Sequence, residues 1–116
     1  MTVVLIGRDL IFGSRIADAA ARAGQEFLRV DDPAGLPPPS SVELALVDWA
    51  ERRPDWADRL SAWRASAAGP DQVRIVLFGP HTDLVAHADA RAAGLGPMWA
   101  RSKLVADLPS QLAAIS

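Results

Sequence analysis

Residues 3–24, VVLIGRDLIFGSRIADAAARAG, hold one complete strand–turn–helix unit. Residues 3–6 are a continuous apolar run, which is typical of a strand buried on both faces of a parallel sheet. After a short polar turn, apolar residues recur at helical spacing until Gly24, and glycine commonly follows the last turn of a helix. This stretch therefore predicts a β-strand that leads into an α-helix, the repeating unit of a parallel α/β sheet.

The same alternation continues along the rest of the chain. Four more strands are predicted from short apolar runs at residues 27–30, 44–47, 73–78 and 98–100. Of the three further helices predicted, the first stops at Gly69–Pro70, the second ends at Gly94, and the third has Pro109 in its first turn. Five strands that alternate with four helices predict right-handed crossovers and a sheet covered on both sides.

The segment between the second and third strands is rich in proline. Residues 31–41 contain Pro33 and the run Pro37, Pro38, Pro39. Successive prolines remove backbone donors and favour extended geometry, so a loop is expected where a helix would otherwise stand. This segment is too short to separate two domains, and we expect residues 1–116 to form a single domain.

Composition excludes several classes of function. The chain has no cysteine, which excludes disulfides, thiolate metal sites and cysteine catalysis. Its formal net charge is -2 and its arginines are dispersed, so we expect no nucleic-acid partner. No apolar run approaches the roughly 20 residues of a membrane helix and no secretory signal fits, so we expect no membrane association and a cytoplasmic location. Glycine spacing matches neither a phosphate-binding loop nor a nucleophile elbow, and we expect no enzymatic activity.

Polar residues follow the predicted strands at their carboxyl ends. Because ligands bind at that edge of an open parallel sheet, these residues are the candidate pocket. The candidate pocket consists of Arg8, Asp9, Asp48, Gly79, Arg101 and Lys103.

In element order and strand-end residues, the chain resembles the response-regulator receiver domains of two-component signalling, over essentially its whole length. The resemblance implies a flavodoxin-like three-layer sandwich. Its five-stranded parallel sheet would have the order 2-1-3-4-5, with helices on both faces and, here, the Pro-rich loop in place of the second helix. In that family an acidic pair follows strand one and holds Mg²⁺, and a phosphoacceptor aspartate ends strand three. By this resemblance Asp48 is the phosphoacceptor candidate, and Asp9 and Asp48 are the candidate Mg²⁺ ligands.

The remaining receiver positions match poorly. Phe78 or Gly79 stands where the family has a serine or threonine, and neither carries a hydroxyl. Arg101 stands where the family has a lysine, judged by its distance from the last helix, and Lys103 follows two residues later. Arginine can pair with a carboxylate through two bonds or clamp a phosphate.

This pattern favours a stand-alone pseudo-receiver, a signalling or protein-interaction module that is not phosphorylated and needs no cofactor. Arg8 or Arg101 would then hold Asp48 in place of a metal. One alternative is a working Mg²⁺-dependent receiver phosphorylated on Asp48, and another is a small-molecule binder or enzyme at the strand-end crevice. A simpler interpretation is that Asp48 caps the turn after its strand and Asp9 caps the first helix.

Two tryptophans bear on possible partners, which we expect to be a protein or a second copy of the chain. Receiver domains use the face formed by the fourth helix, fifth strand and fifth helix for such contacts, and Trp99 lies on the predicted fifth strand. Trp99 is therefore the interface candidate if it is exposed, whereas burial under the last helix is equally compatible with the sequence. Trp49 follows Asp48 directly and is expected at the rim of the pocket.

Overall fold

The computed structural model describes residues 2–66 and 73–115. Its strands are β1 (Thr2–Ile6), β2 (Glu26–Val30), β3 (Val42–Asp48), β4 (Arg74–Phe78) and β5 (Met98–Trp99). Its α-helices are α1 (Leu10–Arg22), α2 (Trp56–Ala65), α3 (Leu84–Ala92) and α4 (Arg101–Ile115). The predicted helix stop at Gly69–Pro70 lies outside the described residues.

The strands form one parallel sheet in the order β2-β1-β3-β4-β5. The predicted fold class is therefore confirmed: a flavodoxin-like α/β sheet with this strand order and helices on both faces. β1 lies between β2 and β3, so the direction in which the chain crosses the sheet reverses next to β1. The carboxyl ends of β1 and β3 are neighbours at this reversal, which is where open α/β sheets form a crevice.

Each face of the sheet packs against its own pair of helices. Alternate residues of a strand point to opposite faces, so Val3 and Leu5 face α1 and α4, whereas Val4 and Ile6 face α2 and α3. All four side chains are almost completely buried. This two-sided burial explains why the strands read as continuous apolar runs in the sequence.

Side-chain caps fix where two helices begin. The backbone N–H of Phe12 donates to Asp9 Oδ1 over 2.9 Å at the start of α1, and that of Ala86 donates to Asp83 Oδ1 over 3.0 Å at the start of α3. Gly24 follows α1 with φ 75°, a left-handed conformation that glycine adopts without strain. The predicted cap at Asp9 and the glycine after α1 are both confirmed.

No α-helix lies between β2 and β3, as the prolines predict. Two single-turn 3₁₀ helices, Pro33–Gly35 and Pro39–Ser41, take its place. The indole N–H of Trp63 on α2 donates to the Pro37 carbonyl over 2.8 Å, which ties the loop to this helix. The Pro-rich segment is therefore an ordered part of the layer formed by α2 and α3.

The predicted position of Pro109 is wrong. α4 already begins at Arg101, and Pro109 lies inside the helix instead of in its first turn. Leu104, Leu108 and Leu112 form a buried stripe that continues past the proline, while Pro109 itself is exposed. Packing of this stripe therefore overrides the local tendency of proline to end a helix. Within the described ranges, no helix combines the length and apolar character needed to cross a bilayer.

Candidate functional site

The candidate site lies where three segments meet at the carboxyl edge of the sheet. Asp9 stands in the turn between β1 and α1, Asp48 is the last residue of β3, and Arg101 is the first residue of α4. Because β1 and β3 are adjacent, the two carboxylates face the same crevice. The start of α4 directs the side chain of Arg101 into that crevice.

One guanidinium group bridges the two aspartates. Arg101 Nη1 donates to Asp9 Oδ2 over 2.7 Å, and Arg101 Nη2 donates to Asp48 Oδ2 over 3.0 Å. The planar group presents its donors in a fixed arrangement, so these two bonds define its orientation. We call these three side chains, Asp9, Asp48 and Arg101, the arginine bridge.

The rings of two phenylalanines contact the guanidinium group of the arginine bridge. The guanidinium carbon of Arg101 lies 5.0 Å from the ring centre of Phe12 and 5.5 Å from that of Phe78. The two rings pack against each other with their centres 5.0 Å apart. A cation over an aromatic face is attracted by the ring quadrupole, so aromatic contacts add to the two carboxylate bonds in holding Arg101.

Asp48 is the buried member of the arginine bridge. Its side chain is 3% exposed, and within the described residues its Oδ1 has no hydrogen-bond partner. Burial raises the pKa of the Asp48 carboxyl because it removes water from the charged form; the positive charge of Arg101 acts in the opposite direction. Asp48 makes no side-chain capping hydrogen bond to the turn that follows, although the nearby backbone N–H of Ala50 also acts to lower its pKa.

Asp9 is in the opposite electrostatic situation. Its Oδ1 accepts the Phe12 backbone N–H and its Oδ2 accepts Arg101. These two contacts lower the pKa of the Asp9 carboxyl, the backbone hydrogen bond contributing most. The hydrogen bond to Asp9 also raises the pKa of Arg101. Asp9 thus caps α1 and anchors the arginine at the same time.

A third acid, Glu51, lies beside the arginine bridge and was missed in the sequence. Its Oε2 accepts the backbone N–H of Arg8 over 2.9 Å, and its charge adds to the rise in the pKa of Asp48. A Cβ on Gly7 would lie 2.9 Å from the Asp48 Cβ and 3.3 Å from Glu51 Oε2. Glycine at position 7 therefore permits the close approach of the β1–α1 turn to the end of β3. The only sequence signal was an acid three residues after Asp48, which also fits a solvated turn.

The other predicted pocket residues lie around this centre without joining it. The exposed Arg8 contributes its backbone N–H, and within the described residues its side chain forms no ion pair with Asp9 or Asp48. Lys103 Nζ lies 3.8 Å from Asp107 Oδ2 and 4.9 Å from the ring centre of Trp99, so Lys103 points along α4.

Gly79 has a packing role at the end of β4. Its N–H donates to the Trp99 carbonyl over 2.9 Å, and a Cβ there would lie 2.9 Å from Met98 Sδ. The absence of a side chain at position 79 therefore lets β5 sit close to β4. The site accordingly combines two carboxylates and a guanidinium at its centre, with no hydroxyl from residues 78 or 79.

The structure settles the placement of the two tryptophans named above. Trp49 is buried, and its indole N–H donates to the Ala86 carbonyl on α3 over 3.0 Å. The expectation that Trp49 lines the pocket rim is wrong, because Trp49 begins the turn after β3 and its side chain packs in the core on the face of α2 and α3. Trp99 is half-buried against the layer of α1 and α4, with the ammonium of Lys103 over its ring. Its use as an interface stays a prediction.

The donor set does not fit Mg²⁺ in this arrangement. Mg²⁺ prefers octahedral oxygen ligation, usually with one or two carboxylates. Here Arg101 already binds one oxygen of each candidate carboxylate, and the second oxygen of Asp9 caps α1. Across residues 2–66 and 73–115, no three carboxylate or histidine side chains cluster as a metal site. The positive charge at this position is supplied by the chain itself.

The nearest open space is a groove between α1 and α4. Its volume is about 590 Å³, and its lining includes Ile11, Phe12, Arg15 and Val105 beside the arginine bridge. The crevice between β1 and β3 itself is filled by the Arg101 side chain. A small molecule would therefore meet the groove first and could reach Asp48 only by displacing the arginine.

No family model matches this chain, and no curated protein matches it.

Proposed function

We propose that this protein is a pseudo-receiver, a receiver-like module that works through protein contacts and is not phosphorylated on Asp48. The observation that carries the proposal is the arginine bridge, in which Arg101 bonds to Asp9 and Asp48 together. An internal cation that is permanently charged replaces the metal ion that a phosphoacceptor site requires.

Two features of Asp48 and one of the end of β4 support the absence of phosphoryl transfer. Its side chain is 3% exposed, so a phosphoryl donor has little access to it. Its Oδ2 is occupied by Arg101, whose orientation is also fixed by Phe12 and Phe78. No hydroxyl stands at Phe78 or Gly79 to bind a phosphoryl oxygen and report the modification to the surface.

Phosphorylation can be tested directly by mass spectrometry of the intact protein. The wild-type protein, Asp48→Asn and Arg101→Lys are incubated with Mg²⁺ and acetyl phosphate. In parallel, a beryllofluoride mimic is followed by ¹⁹F NMR. We expect the wild-type protein to remain unmodified and to bind no beryllofluoride. Arg101→Lys restores the residue type of working receivers and is the matched variant for any gain of reactivity. Stoichiometric addition of phosphate to the wild-type protein, lost in Asp48→Asn, would overturn the proposal.

One observation favours the second candidate, a working Mg²⁺-dependent receiver. Asp48 Oδ1 is buried and, in the described part of the chain, accepts no hydrogen bond, which leaves one oxygen of the phosphoacceptor candidate free. This candidate predicts that millimolar Mg²⁺ shifts the carboxyl-carbon NMR signal of Asp9, the other candidate ligand, and that Asp48→Asn abolishes the shift. Carboxyl signals that do not respond to Mg²⁺ would exclude it.

A further inference from the structure

The edge strand β2 lacks the helical cover that its place in the fold would normally give it. A proline-rich loop replaces the helix after β2, and Leu28, in the middle of the strand, remains 39% exposed. In the register of the sheet, Leu28 pairs with Val4, which faces α2 and α3. Leu28 therefore points to the face on which the helix is missing. Among the described strands, only β1 pairs with β2, so the other side of β2 is an open edge.

The backbone of β2 has N–H and C=O groups at this open edge that can form hydrogen bonds with another strand. Gly7 N–H donates to the Val30 carbonyl, so the peptide groups of Val30 and, two residues earlier, Leu28 face β1. The backbone N–H and C=O groups of Phe27 and Arg29 then point away from β1. Within the described chain neither residue has a backbone hydrogen bond on that side. This is the arrangement through which a further strand can pair.

We propose that the open edge of β2 binds β2 of a second copy of this chain, antiparallel, with the two-fold axis at Leu28. In this register Leu28 lies opposite Leu28 of the second copy, and each Phe27 lies opposite Arg29 of the second copy. Each Phe27–Arg29 pair exchanges two backbone hydrogen bonds, and the two-fold symmetry repeats the pair. The two five-stranded sheets join into one continuous sheet.

Charge and burial select both this register and the second copy as the partner. A two-fold axis at Arg29 would place two guanidinium groups opposite each other. A two-fold axis at Phe27 would place the charged Glu26 opposite the apolar Leu28 of the second copy. With the axis at Leu28, no like charges face each other across β2, and the exposed leucines cover one another. The edge is thus self-complementary, as an isologous interface requires.

The opposite edge of the sheet lacks these properties. β5 has two residues, too few to offer the same pattern of outward peptide groups. Lys103 lies over Trp99 at this edge and places a charge beside it, a common protection against edge pairing. Pairing through β2 also places the arginine bridges of the two copies at opposite ends of the joined sheet, because antiparallel strands point their carboxyl ends in opposite directions.

Hydrogen exchange at individual amides tests the proposal on the wild-type chain. Because the interface is small, we expect dimers to form only as the concentration rises towards about the millimolar range. The amides of Phe27 and Arg29 should then exchange more slowly with increasing concentration, whereas those of Leu28 and Val30 should be protected throughout. Light scattering should show the mass rising towards that of a dimer over the same range. A monomer at every concentration, or a dimer in which Phe27 and Arg29 stay unprotected, would overturn the proposal.

Variants that introduce opposite charges at position 28 separate a loss of dimerisation from a small loss of stability. Leu28→Glu and Leu28→Lys should each be monomeric because like charges meet at the two-fold axis, and an equimolar mixture of the two should form the mixed dimer. Val85→Glu, at a position that is 67% exposed on α3, is the matched control and should dimerise like the wild-type protein. A mixture that stays monomeric, or a control that loses the dimer as Leu28→Glu does, would contradict the assignment to β2. Far-ultraviolet circular dichroism verifies that each variant is folded.

Discussion

Two arginines, Arg101 and Arg52, lie on opposite faces of the sheet near the end of β3, and each combines an aromatic contact with a carboxylate. Arg101 lies above two phenylalanines on the face of α1 and α4 and binds the buried Asp48. Arg52 lies 5.3 Å from the ring centre of Trp49, on the face of α2 and α3, and binds Asp89 with Nη2 to Oδ2 at 2.5 Å.

The two contacts differ in the burial of the carboxylate. The Asp48 side chain is 3% exposed and that of Asp89 is 51% exposed. Water can solvate Asp89 when Arg52 is removed, whereas Asp48 would be left buried without a counter-charge. The same combination of groups therefore stabilises the fold strongly in one place and weakly in the other.

Removing Arg101 should produce the largest effect. We expect Arg101→Ala to lower the free energy of unfolding by about 2 kcal/mol, the lower part of the range for breaking a buried pair, since Arg101 is itself 43% exposed. Urea denaturation at neutral pH measures the change. Adding Asp48→Asn to this variant should recover part of the loss, because the amide leaves no unpaired charge. If Arg101→Ala lowers the free energy of unfolding no more than Arg52→Ala does, burial of the carboxylate does not distinguish the two sites.

Trp49→Phe should produce the next largest effect. It removes the indole N–H that reaches the Ala86 carbonyl and leaves a small space between β3 and α3. We expect a loss of about 1.5 kcal/mol in urea denaturation, from the unsatisfied carbonyl and the lost packing. In Trp49→Phe, Asp48 should still form its ion pair with Arg101, so the titration of the Asp48 carboxyl should not change. A shift in that titration would mean that the two faces of the sheet are coupled at the end of β3.

Removing Arg52 should have a smaller effect. We expect Arg52→Ala to lower the free energy of unfolding by about 0.5 kcal/mol, because Asp89 is half exposed and becomes solvated. This loss should shrink further at high salt, which screens exposed pairs more than buried ones. Urea denaturation with and without added salt checks both statements. A loss as large as that of Arg101→Ala would show that exposure does not decide the difference.

The smallest expected effect is on the pH dependence of stability, where the two aspartates of the arginine bridge should act in opposite directions. The pKa of Asp48 is raised on folding by burial, so its stabilising contribution is complete below the pKa of the unfolded chain and is lost as pH rises through the folded value. The pKa of Asp9 is lowered by the Phe12 N–H and Arg101, so its contribution is present above the unfolded pKa and is lost as pH falls through the folded value.

Carboxyl-carbon NMR across the acidic range measures both groups directly. Asp48 should titrate at a higher pH than Asp9, and both carboxyls should titrate at a higher pH in Arg101→Ala, because each loses the positive charge that lowers its pKa. The free energy of unfolding of Asp48→Asn, relative to the wild-type protein, should rise as pH increases through the folded pKa of Asp48. Equal titration of the two carboxyls would mean that burial of Asp48 does not control its protonation.

Much of the fold was predictable because its signals are local. The runs at 3–6 and 44–47 are apolar on both faces of a strand, Asp9 stands directly before a helix, and successive prolines leave no donors for one. Pro109 was misplaced because the buried stripe of α4 arises from tertiary packing, which a local rule on proline does not include.

The candidate site was harder to predict because it joins distant segments. Arg101 could be singled out only by its position after the last strand, and its two carboxylate contacts depend on the register of the whole sheet. Trp49 was misassigned because adjacency to Asp48 was taken to mean a shared face, whereas the turn after β3 directs the indole into the core on the face of α2 and α3. Glu51 gave no distinguishing signal, since an acid in a polar turn most often faces water.

The arginine bridge also has a consequence for the order of events in folding. Arg101 contacts residues that are 92 and 53 positions away in the chain, so its bonds close only after α4 has docked on the completed β1–β3 pair. We expect these contacts to form after the transition state, and contacts of that kind change the unfolding rate and leave the folding rate almost unaltered. Arg101→Ala should therefore act as an accelerator of unfolding, which makes the first residue of α4 a determinant of how long the native state lasts once it has formed.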